Sequence, residues 1–216
     1  MKSYVVIGLG LFGMELALQL YENGEHVMAI DINPELVASC ADSVTKAVVA
    51  DAKKREVLKN LGVDRFDCAI IAMTSDLATS VLVTMNLKAL GVNEIICKAQ
   101  NATDMEVLET LGATTVIIPE KIAADRLCRK ICHPNVMEYI ELSEKYGMIE
   151  MQVPKSWVGS SILDLGVRAK YGVNIIAIKK GKDIEVSFDA NYHLESTDDL
   201  VFVGENAALA KVQKIQ

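Results

Sequence analysis

Three glycines near the start of the chain constrain its fold more than any other feature. Gly8, Gly10 and Gly13 follow the spacing G-x-G-x-x-G, directly after the β-branched run Tyr4–Ile7 and at the beginning of the helix-like run Phe12–Asn23. In a strand–turn–helix unit the first glycine permits a tight turn, the second lets the backbone approach a phosphate, and the third lets helix and strand pack closely. The helix amino terminus adds free N–H donors and the positive end of its dipole. The motif therefore predicts a phosphate site at this turn.

Asp31 adds a ribose-binding residue to the predicted site. It stands 18 residues past Gly13, at the end of the second predicted strand. A carboxylate in this position accepts hydrogen bonds from both ribose hydroxyls and repels a 2′-phosphate, so the sequence favours an adenine nucleotide other than NADP. A glycine turn that binds no ligand is the alternative.

The first part of the chain alternates between strand-like and helix-like runs, which predicts a doubly wound parallel sheet with helices on both faces. The predicted strands are Tyr4–Ile7, Val27–Ile30, Val44–Val49, Cys68–Ala72, Glu94–Cys97 and Thr115–Ile118. The predicted helices are Phe12–Asn23, Pro34–Cys40, Lys53–Leu61, Leu77–Leu90 and Met105–Leu111. A glycine follows four of these helices, at Gly24, Gly62, Gly91 and Gly112, where a left-handed residue is expected. The fold class is therefore α/β, of the Rossmann-like kind.

A second, small α+β domain follows a last helix at Glu120–Cys132, which His133-Pro134-Asn135 ends. Its predicted strands are Val136–Leu142, Met148–Val153, Val173–Lys179, Ile184–Ser187 and Leu200–Val203, with short helices at Ser161–Val167 and Ala207–Lys214. Gly181-Lys182-Asp183 is typical of a hairpin turn. We place the domain boundary near residue 134, which gives domains 1–133 and 134–216.

Charge and hydropathy limit the classes of partner. The 216 residues carry a formal net charge of −7, which argues against a nucleic-acid binder. The longest apolar runs, such as Cys68–Met73, are far shorter than the roughly 18 residues of a membrane span. The start at Met1-Lys2 leads directly into strand-like sequence, so we expect a cytoplasmic protein.

Five cysteines, an odd number with no C-x-x-C pair, indicate reduced thiols. They are Cys40, Cys68, Cys97, Cys128 and Cys132. The alternative is that Cys128, Cys132 and His133 share a helix face and hold a metal, although no fourth ligand is obvious nearby.

Catalytic signatures do not accompany the glycine motif. The three histidines, His26, His133 and His193, do not fall where a dehydrogenase needs an acid–base group. No G-x-S-x-G, Walker lysine or H-E-x-x-H motif is present. Binding without chemistry is therefore the favoured interpretation; a small NAD-linked oxidoreductase and a free-standing nucleotide sensor remain as alternatives.

Several longer motifs resemble one family over essentially the whole chain: the RCK (regulator of potassium conductance, TrkA-N/TrkA-C) subunits of Ktr- and Trk-type potassium uptake systems. The motifs are Val6-Ile7-Gly8-Leu9-Gly10-x-Phe12-Gly13, Asp31-Ile32-Asn33, Lys98-Ala99-Gln100-Asn101, Val107-Leu108-Glu109-x-x-Gly112-Ala113, Pro119-Glu120-Lys121 and Leu163-Asp164-Leu165-x-Val167-Arg168-Ala169-Lys170-Tyr171-Gly172. The last motif, in the small domain, is much more specific than the glycine motif.

The resemblance implies a regulatory subunit. Such subunits form homodimers that assemble into an octameric ring beneath a membrane-embedded potassium-translocating partner of the KtrB or TrkH kind, and ATP and ADP favour different shapes of the ring. For this chain ADP, AMP and NAD(H) are candidate ligands beside ATP. The residues that the resemblance places around the nucleotide are Gly8, Gly10, Leu11, Phe12, Gly13, Asp31, Ile32, Asp51, Ala52, Met73, Thr74 and Lys98. It also implies that Glu120 holds a divalent cation or sodium; a carboxylate that only stabilises a helix amino terminus is the alternative.

Two further expectations depend on the resemblance. Family members commonly carry arginine at the position of Leu11, where it reaches the terminal phosphate of a neighbouring subunit's ATP, so we expect weaker discrimination of ATP from ADP. In some relatives the small domain binds cyclic di-AMP, and Ile162, Leu163, Val167 and Arg168 are the matching residues. A plain core helix is the alternative for that segment.

Overall fold

The structure is a computed structural model that describes residues 2–73, 76–132 and 135–215. The chain divides into two compact units, Met1–Ile122 and Ala123–Gln216. This division falls inside a helix, whereas the expected domain boundary lies beyond it, and the boundary at residue 134 stays a prediction. Within the described residues, no helix is both long and apolar enough to cross a membrane.

The first unit contains a six-stranded parallel sheet with strand order β3-β2-β1-β4-β5-β6. The strands are β1 (Ser3–Ile7), β2 (His26–Asp31), β3 (Lys46–Val49), β4 (Cys68–Ile71), β5 (Glu94–Lys98) and β6 (Thr115–Ile117). The helices are α1 (Leu11–Glu22), α2 (Pro34–Cys40), α3 (Arg55–Leu61), α4 (Leu77–Ala89) and α5 (Ala102–Thr110). The next helix, α6 (Pro119–Cys132), begins in the first unit and continues into the second. The predicted fold class is confirmed. Strand order reverses between β1 and β4, and ligands of such sheets bind outside the carboxyl ends of the strands at this point.

Alternate residues of β1 supply the cores on the two sides of the sheet. Val5 belongs to the same buried cluster as Leu58 of α3, while Val6 belongs to a second cluster with Ala17 of α1. Both faces of a parallel sheet are covered by helices, which explains why these strands are continuous apolar runs. The four glycines that follow helices have φ angles of 83°, 72°, 85° and 117°, so each adopts the positive φ expected of it.

The second unit contains a five-stranded antiparallel sheet with strand order β10-β9-β11-β8-β7. The strands are β7 (Val136–Glu141), β8 (Tyr146–Gln152), β9 (Val173–Lys180), β10 (Asp183–Glu185) and β11 (Asp198–Glu205), and the helices are α7 (Ile162–Leu165), α8 (Val167–Tyr171) and α9 (Asn206–Val212). Lys180 pairs with Asp183, which confirms the predicted hairpin turn. Trp157 and Phe202 lie in the buried core of the second unit.

The single helix predicted over Ser161–Val167 is wrong. Gly166 has a φ of 54° and ends α7, after which α8 begins at Val167. Ser161 caps α7 by accepting a hydrogen bond from the Asp164 N–H. A left-handed residue breaks the helical hydrogen-bond pattern, so a helix-like sequence period continues across two short helices.

Candidate functional site

The glycine turn between β1 and α1 is held by close packing at two of its three glycines. Gly8 has a φ of 94°, and a Cβ there would overlap Met73. A Cβ on Gly13 would overlap the carbonyl oxygen of Gly8, so α1 can approach β1 this closely only with glycine. Gly10 differs: a Cβ there would meet nothing within 4 Å. Internal packing therefore does not require glycine at position 10, and the space beside it is open.

The amino terminus of α1 has no side-chain cap and no acidic residue in its first turn. Asn33, Asp76 and Asn101 cap α2, α4 and α5 with side-chain oxygens. The first N–H groups of α1 therefore keep hydrogen-bonding capacity, and they carry the positive end of the helix dipole. An anion at this turn would complete their hydrogen bonds.

Asp31 ties the end of β2 to the glycine turn. Its Oδ2 accepts a hydrogen bond of 2.6 Å from the Leu9 N–H, and its Oδ1 accepts one of 2.8 Å from the Asn33 N–H. A carboxylate oxygen can accept more than one hydrogen bond, so both oxygens retain capacity for hydroxyl donors. The arrangement fixes the orientation of the carboxylate before any ligand binds.

A cavity of about 210 Å³ lies outside the carboxyl ends of β1 to β4. Its lining residues are Ile7, Gly8, Ile30, Asp31, Ile32, Ala50, Asp51, Ala52, Lys53, Met73 and Thr79. The structure thus brings together six of the predicted nucleotide residues: Gly8, Asp31, Ile32, Asp51, Ala52 and Met73. Thr74, a seventh, lies outside the described residues.

Sequence reasoning missed two polar residues of this cavity. Lys53 directly follows Asp51 and Ala52 after β3. Its position just beyond the carboxyl end of a predicted parallel strand is enough to predict it as a residue of the site. Thr79 lies in the first turn of α4, where its hydroxyl donates to Asp76 at 2.7 Å. No motif marked Thr79, because the fold alone brings α4 to the cavity.

Lys98 lies beside the glycine turn and not in the lining of the described cavity. Its Nζ is 5.7 Å from the ring centroid of Phe12, in the first turn of α1, and 2.6 Å from Oε1 of Glu120. Only 10% of the Lys98 side chain is exposed, against 67% for Glu120. The hydrogen bond from Lys98 lowers the pKa of the Glu120 carboxyl below its usual range. In this structure Glu120 is thus the partner of Lys98, and the cation site predicted at Glu120 stays a prediction.

Leu11 begins α1 and is 92% exposed. A leucine so open to solvent contributes little to the core, and the described fold leaves room for a longer side chain at this position. Leu11 and Phe12 do not line the cavity of the described residues, so their predicted place near the phosphates stays a prediction.

A second cavity, of about 620 Å³, lies in the second unit. Ile162, Leu163, Val167 and Arg168 all line it, together with residues of β9 and Ala190. The structure therefore brings the four residues of the predicted second-ligand site together. Because Gly166 separates α7 from α8, the four residues come from two helices and not from one.

The cysteines fall into two groups. Cys40, Cys68 and Cys97 are buried, as expected of core thiols, and burial raises their pKa, in the case of Cys68 to about 12. Cys128 and Cys132 are exposed on α6. His133, the third member of the predicted metal group, lies outside the described residues, among which no cluster of three potential ligands occurs.

The doubly wound sheet, the glycine turn and the cavity at its switch point define a nucleotide-binding class of fold. Residues 4–119 match the TrkA-N domain and residues 148–216 match the TrkA-C domain. The chain belongs to the family of proteins that combine these two domains, and the resemblance found in its motifs is confirmed.

Two similar proteins come from Bacillus subtilis (strain 168). The chain is 39% identical to Ktr system potassium uptake protein C over 213 residues, which cover 99% of this chain and 96% of the relative. It is 37% identical to Ktr system potassium uptake protein A over 212 residues, which cover 98% of this chain and 96% of the relative. The chain is homologous to Ktr potassium uptake proteins over its full length.

A solved structure described as the GsuK channel bound to NAD has the same fold. The TM-score is 0.57 at 23% identity, and the match covers 100% of this chain and 38% of that chain. This chain thus spans less than half of the length of that channel chain.

Proposed function

We propose that this protein is the cytosolic, nucleotide-binding regulatory subunit of a Ktr-type potassium uptake system. Homology to two Ktr potassium uptake proteins over the full chain supports this role. In this proposal the protein acts by binding and not by catalysis, and it reaches the membrane through a potassium-translocating subunit of the KtrB or TrkH kind. Homodimers that assemble into an octameric ring would couple the two proteins.

The observation that carries the nucleotide part of the proposal is the geometry at the first strand–helix turn. Asp31 is already oriented toward the turn by the Leu9 N–H, and the cavity of about 210 Å³ lies against it. The ribose would meet Asp31, and the adenine would lie near Asp51 and Ala52. A cavity of this size holds part of a nucleotide, with the phosphates extending along the open side of Gly10.

The charges around the turn support an anion there. Lys98 places a largely buried ammonium group near the first turn of α1. A cation beside a helix amino terminus is unfavourable, because both are positive, and an anion between them would remove this repulsion. Glu120 offsets part of this charge from the solvent side. A phosphate between Lys98 and the N–H groups of α1 would be stabilised by both. Glu120 would then be released in part and would be free to hold a cation.

The nucleotide is proposed to be ADP, ATP, AMP or NAD(H). The carboxylate of Asp31 disfavours the 2′-phosphate of NADP, and the exposed Leu11 supplies no donor to a terminal phosphate. Differential binding to two ring shapes would link nucleotide to transport, because a ligand shifts an equilibrium only by its difference in affinity for the two states.

Cyclic di-AMP is the proposed second ligand. Arg168 is a suitable phosphate partner, and Ile162, Leu163 and Val167 give the cavity of the second unit apolar walls for a base.

Titration of the purified full chain with ADP, ATP, NADH and NADPH tests the nucleotide site. We expect saturable binding of at least one of the first three and weaker binding in Gly10→Ala, since a methyl group would fill the open space where a phosphate approaches. Glu22→Ala, at the other end of α1, is the matched control and should bind like the wild type. Equal affinity in Gly10→Ala, or no binding of any adenylate, would contradict the proposed site.

Copurification tests the transport role separately. When the subunit is purified by affinity from membranes of the organism it comes from, one polytopic membrane protein should copurify with it. Deleting the subunit should alter potassium uptake by the cells. An unchanged potassium uptake in cells lacking the subunit would contradict this role whatever the nucleotide titration shows.

A further inference from the structure

Two exposed thiols lie one turn apart near the end of α6. Cys128 and Cys132 are both exposed, and their Sγ atoms are 3.9 Å apart. Residues i and i+4 lie on the same face of a helix, so the sequence spacing and the helix together produce this proximity. The nucleotide site does not use either residue.

The distance between the sulfur atoms suits a bridging metal ion. Zinc bonds thiolate sulfur at about 2.3 Å with tetrahedral angles, which places two sulfur ligands about 3.8 Å apart. The sulfur atoms of Cys128 and Cys132 already have nearly this separation. Binding would therefore require little rearrangement of either side chain.

A disulfide suits the same pair less well. Cβ atoms of residues i and i+4 in a helix are about 5–6 Å apart, whereas a disulfide requires about 3.5–4.5 Å. Closing the bond would distort the helical turn, while a metal ion spans the gap without moving the backbone.

We propose that Cys128 and Cys132 form a two-thiolate site for a soft divalent cation of the Zn²⁺ and Cd²⁺ class. On binding, each thiol loses its proton to solvent, two metal–sulfur bonds form, and the aqua ion releases four of its six waters to become a tetrahedral ion with two sulfur and two water ligands. Solvent fills the remaining coordination positions. No oxidant or reductant takes part, because the metal and both sulfur atoms keep their oxidation states.

The rest of the chain makes the pair selective. Cys40, Cys68 and Cys97 are buried, so a metal ion added to the folded protein meets only the two thiols of α6 among the five cysteines. Thiolate sulfur is the soft ligand that this class of cation prefers over carboxylate oxygen. The acidic residues of the surface therefore do not compete strongly.

The bound ion would link one turn of α6 at its carboxyl end. Cys132 is the last residue of α6, and the last turn of a helix lacks part of its hydrogen bonds. A bridge from Cys132 to Cys128 holds this turn in helical geometry. Hydrogen exchange of the backbone amides in this turn should therefore slow when the metal binds.

Titration of the reduced full chain with Cd²⁺ alone tests the site, because thiolate-to-cadmium charge transfer absorbs in the ultraviolet. We expect one ion per chain and affinity reduced at least about tenfold in C128S and in C132S, since the loss of even an outer partner of a metal ligand costs that much. E56Q, which changes an exposed carboxylate of α3 and leaves α6 untouched, is the control and should bind like the wild type. Hydrogen exchange of the turn at 129–132 should slow only in the wild type and the control.

Three results would overturn the proposal. Equal affinity in both serine variants would place the ion elsewhere. One ion per two chains would mean that two copies of α6 supply four thiolates. Unchanged exchange on saturation would mean that the pair does not bridge. Far-ultraviolet circular dichroism of each variant confirms that its fold is retained before the titration.

Discussion

The Oδ2 atom of Asp31 accepts a hydrogen bond from the Leu9 N–H at 2.6 Å. This bond joins the carboxyl end of β2 to the turn between β1 and α1, so the proposed ribose-binding group and the proposed phosphate-binding turn form one unit. A ligand that contacts both would find them already in place, and little ordering free energy is lost on binding.

Asp31→Asn should weaken ADP binding by roughly 10- to 150-fold, since hydrogen bonds to charged groups contribute about 1.5–3 kcal/mol. Asparagine keeps one acceptor oxygen but loses the charge and the second acceptor. The variant should also lose its discrimination against NADPH, because the repulsion of a 2′-phosphate disappears. Isothermal titration with ADP, NADH and NADPH measures both effects.

Asp42→Asn is the control for this change, because Asp42 is an exposed carboxylate outside the cavity lining. An equal loss of ADP affinity in both variants would indicate a general effect of net charge and would contradict a direct role of Asp31.

Gly13→Ala should destabilise the first unit by about 1–3 kcal/mol or more, because the new Cβ overlaps the Gly8 carbonyl oxygen and forces α1 away from β1. Gly10→Ala is the matched comparison. Its φ of −64° suits alanine and its Cβ would meet nothing within 4 Å, so its stability should stay close to that of the wild type. Urea unfolding of both variants measures the difference. Equal destabilisation would show that position 10 is also constrained by packing.

The sequence predicted the parts of the fold that depend on local pattern. The glycine spacing, the apolar strands and the glycine after each of four helices were sufficient, because each acts through its own backbone conformation or burial. The hydrogen bond from Leu9 to Asp31 was not predictable, since it requires the register of β2 beside β1. Thr79 was not predictable as a cavity residue either, because the order of the strands in the sheet determines that α4 lies beside the cavity.

Charge pairing was also outside the reach of sequence reasoning. Lys98 and Glu120 were both singled out, but as separate partners of a ligand and a cation. The sheet order sets β5 beside β6, which brings Lys98 to the start of α6 and the two side chains into contact. The break at Gly166 was missed because a left-handed glycine inside a helix-like period leaves the apolar spacing unchanged.

Leu11→Arg should increase affinity for ATP relative to ADP. The side chain at position 11 is almost fully exposed, so arginine fits without disturbing the core, and it would add a bidentate donor for a terminal phosphate. Titration with ATP and ADP gives the ratio of affinities, with Leu11→Gln as a control of similar polarity and no charge. A ratio that Leu11→Arg leaves unchanged would mean that position 11 does not approach a terminal phosphate.

Arg168→Gln should weaken cyclic di-AMP binding, because a charged donor is removed from the cavity of the second unit. The expected loss is roughly 10-fold or more, on the scale of one hydrogen bond to a charged group. Lys170→Gln lies on the same helix outside the cavity lining and is the control. Equilibrium dialysis with labelled cyclic di-AMP measures both variants. Unaltered binding in Arg168→Gln would remove the arginine from the site.

The Lys98–Glu120 pair should make a pH-dependent contribution to stability. Lys98 lowers the pKa of the Glu120 carboxyl in the folded state, so the contribution is fully present above the unfolded pKa and is lost as the pH falls through the lower, folded pKa. Glu120 is mostly exposed, and the pair therefore contributes at most about 1 kcal/mol. Urea unfolding of the wild type and Glu120→Gln should show a small difference in the free energy of unfolding at pH 7, which shrinks below about pH 4, close to the ordinary glutamate pKa.

Glu109→Gln, which changes an exposed glutamate of α5, is the control, and its difference from the wild type should not shrink in this way. A difference that stays constant from pH 7 to pH 3.5 would mean that the ion pair does not contribute to stability. Bound ADP should reduce the difference at pH 7, because a phosphate beside Lys98 would replace Glu120 as the partner of its ammonium group.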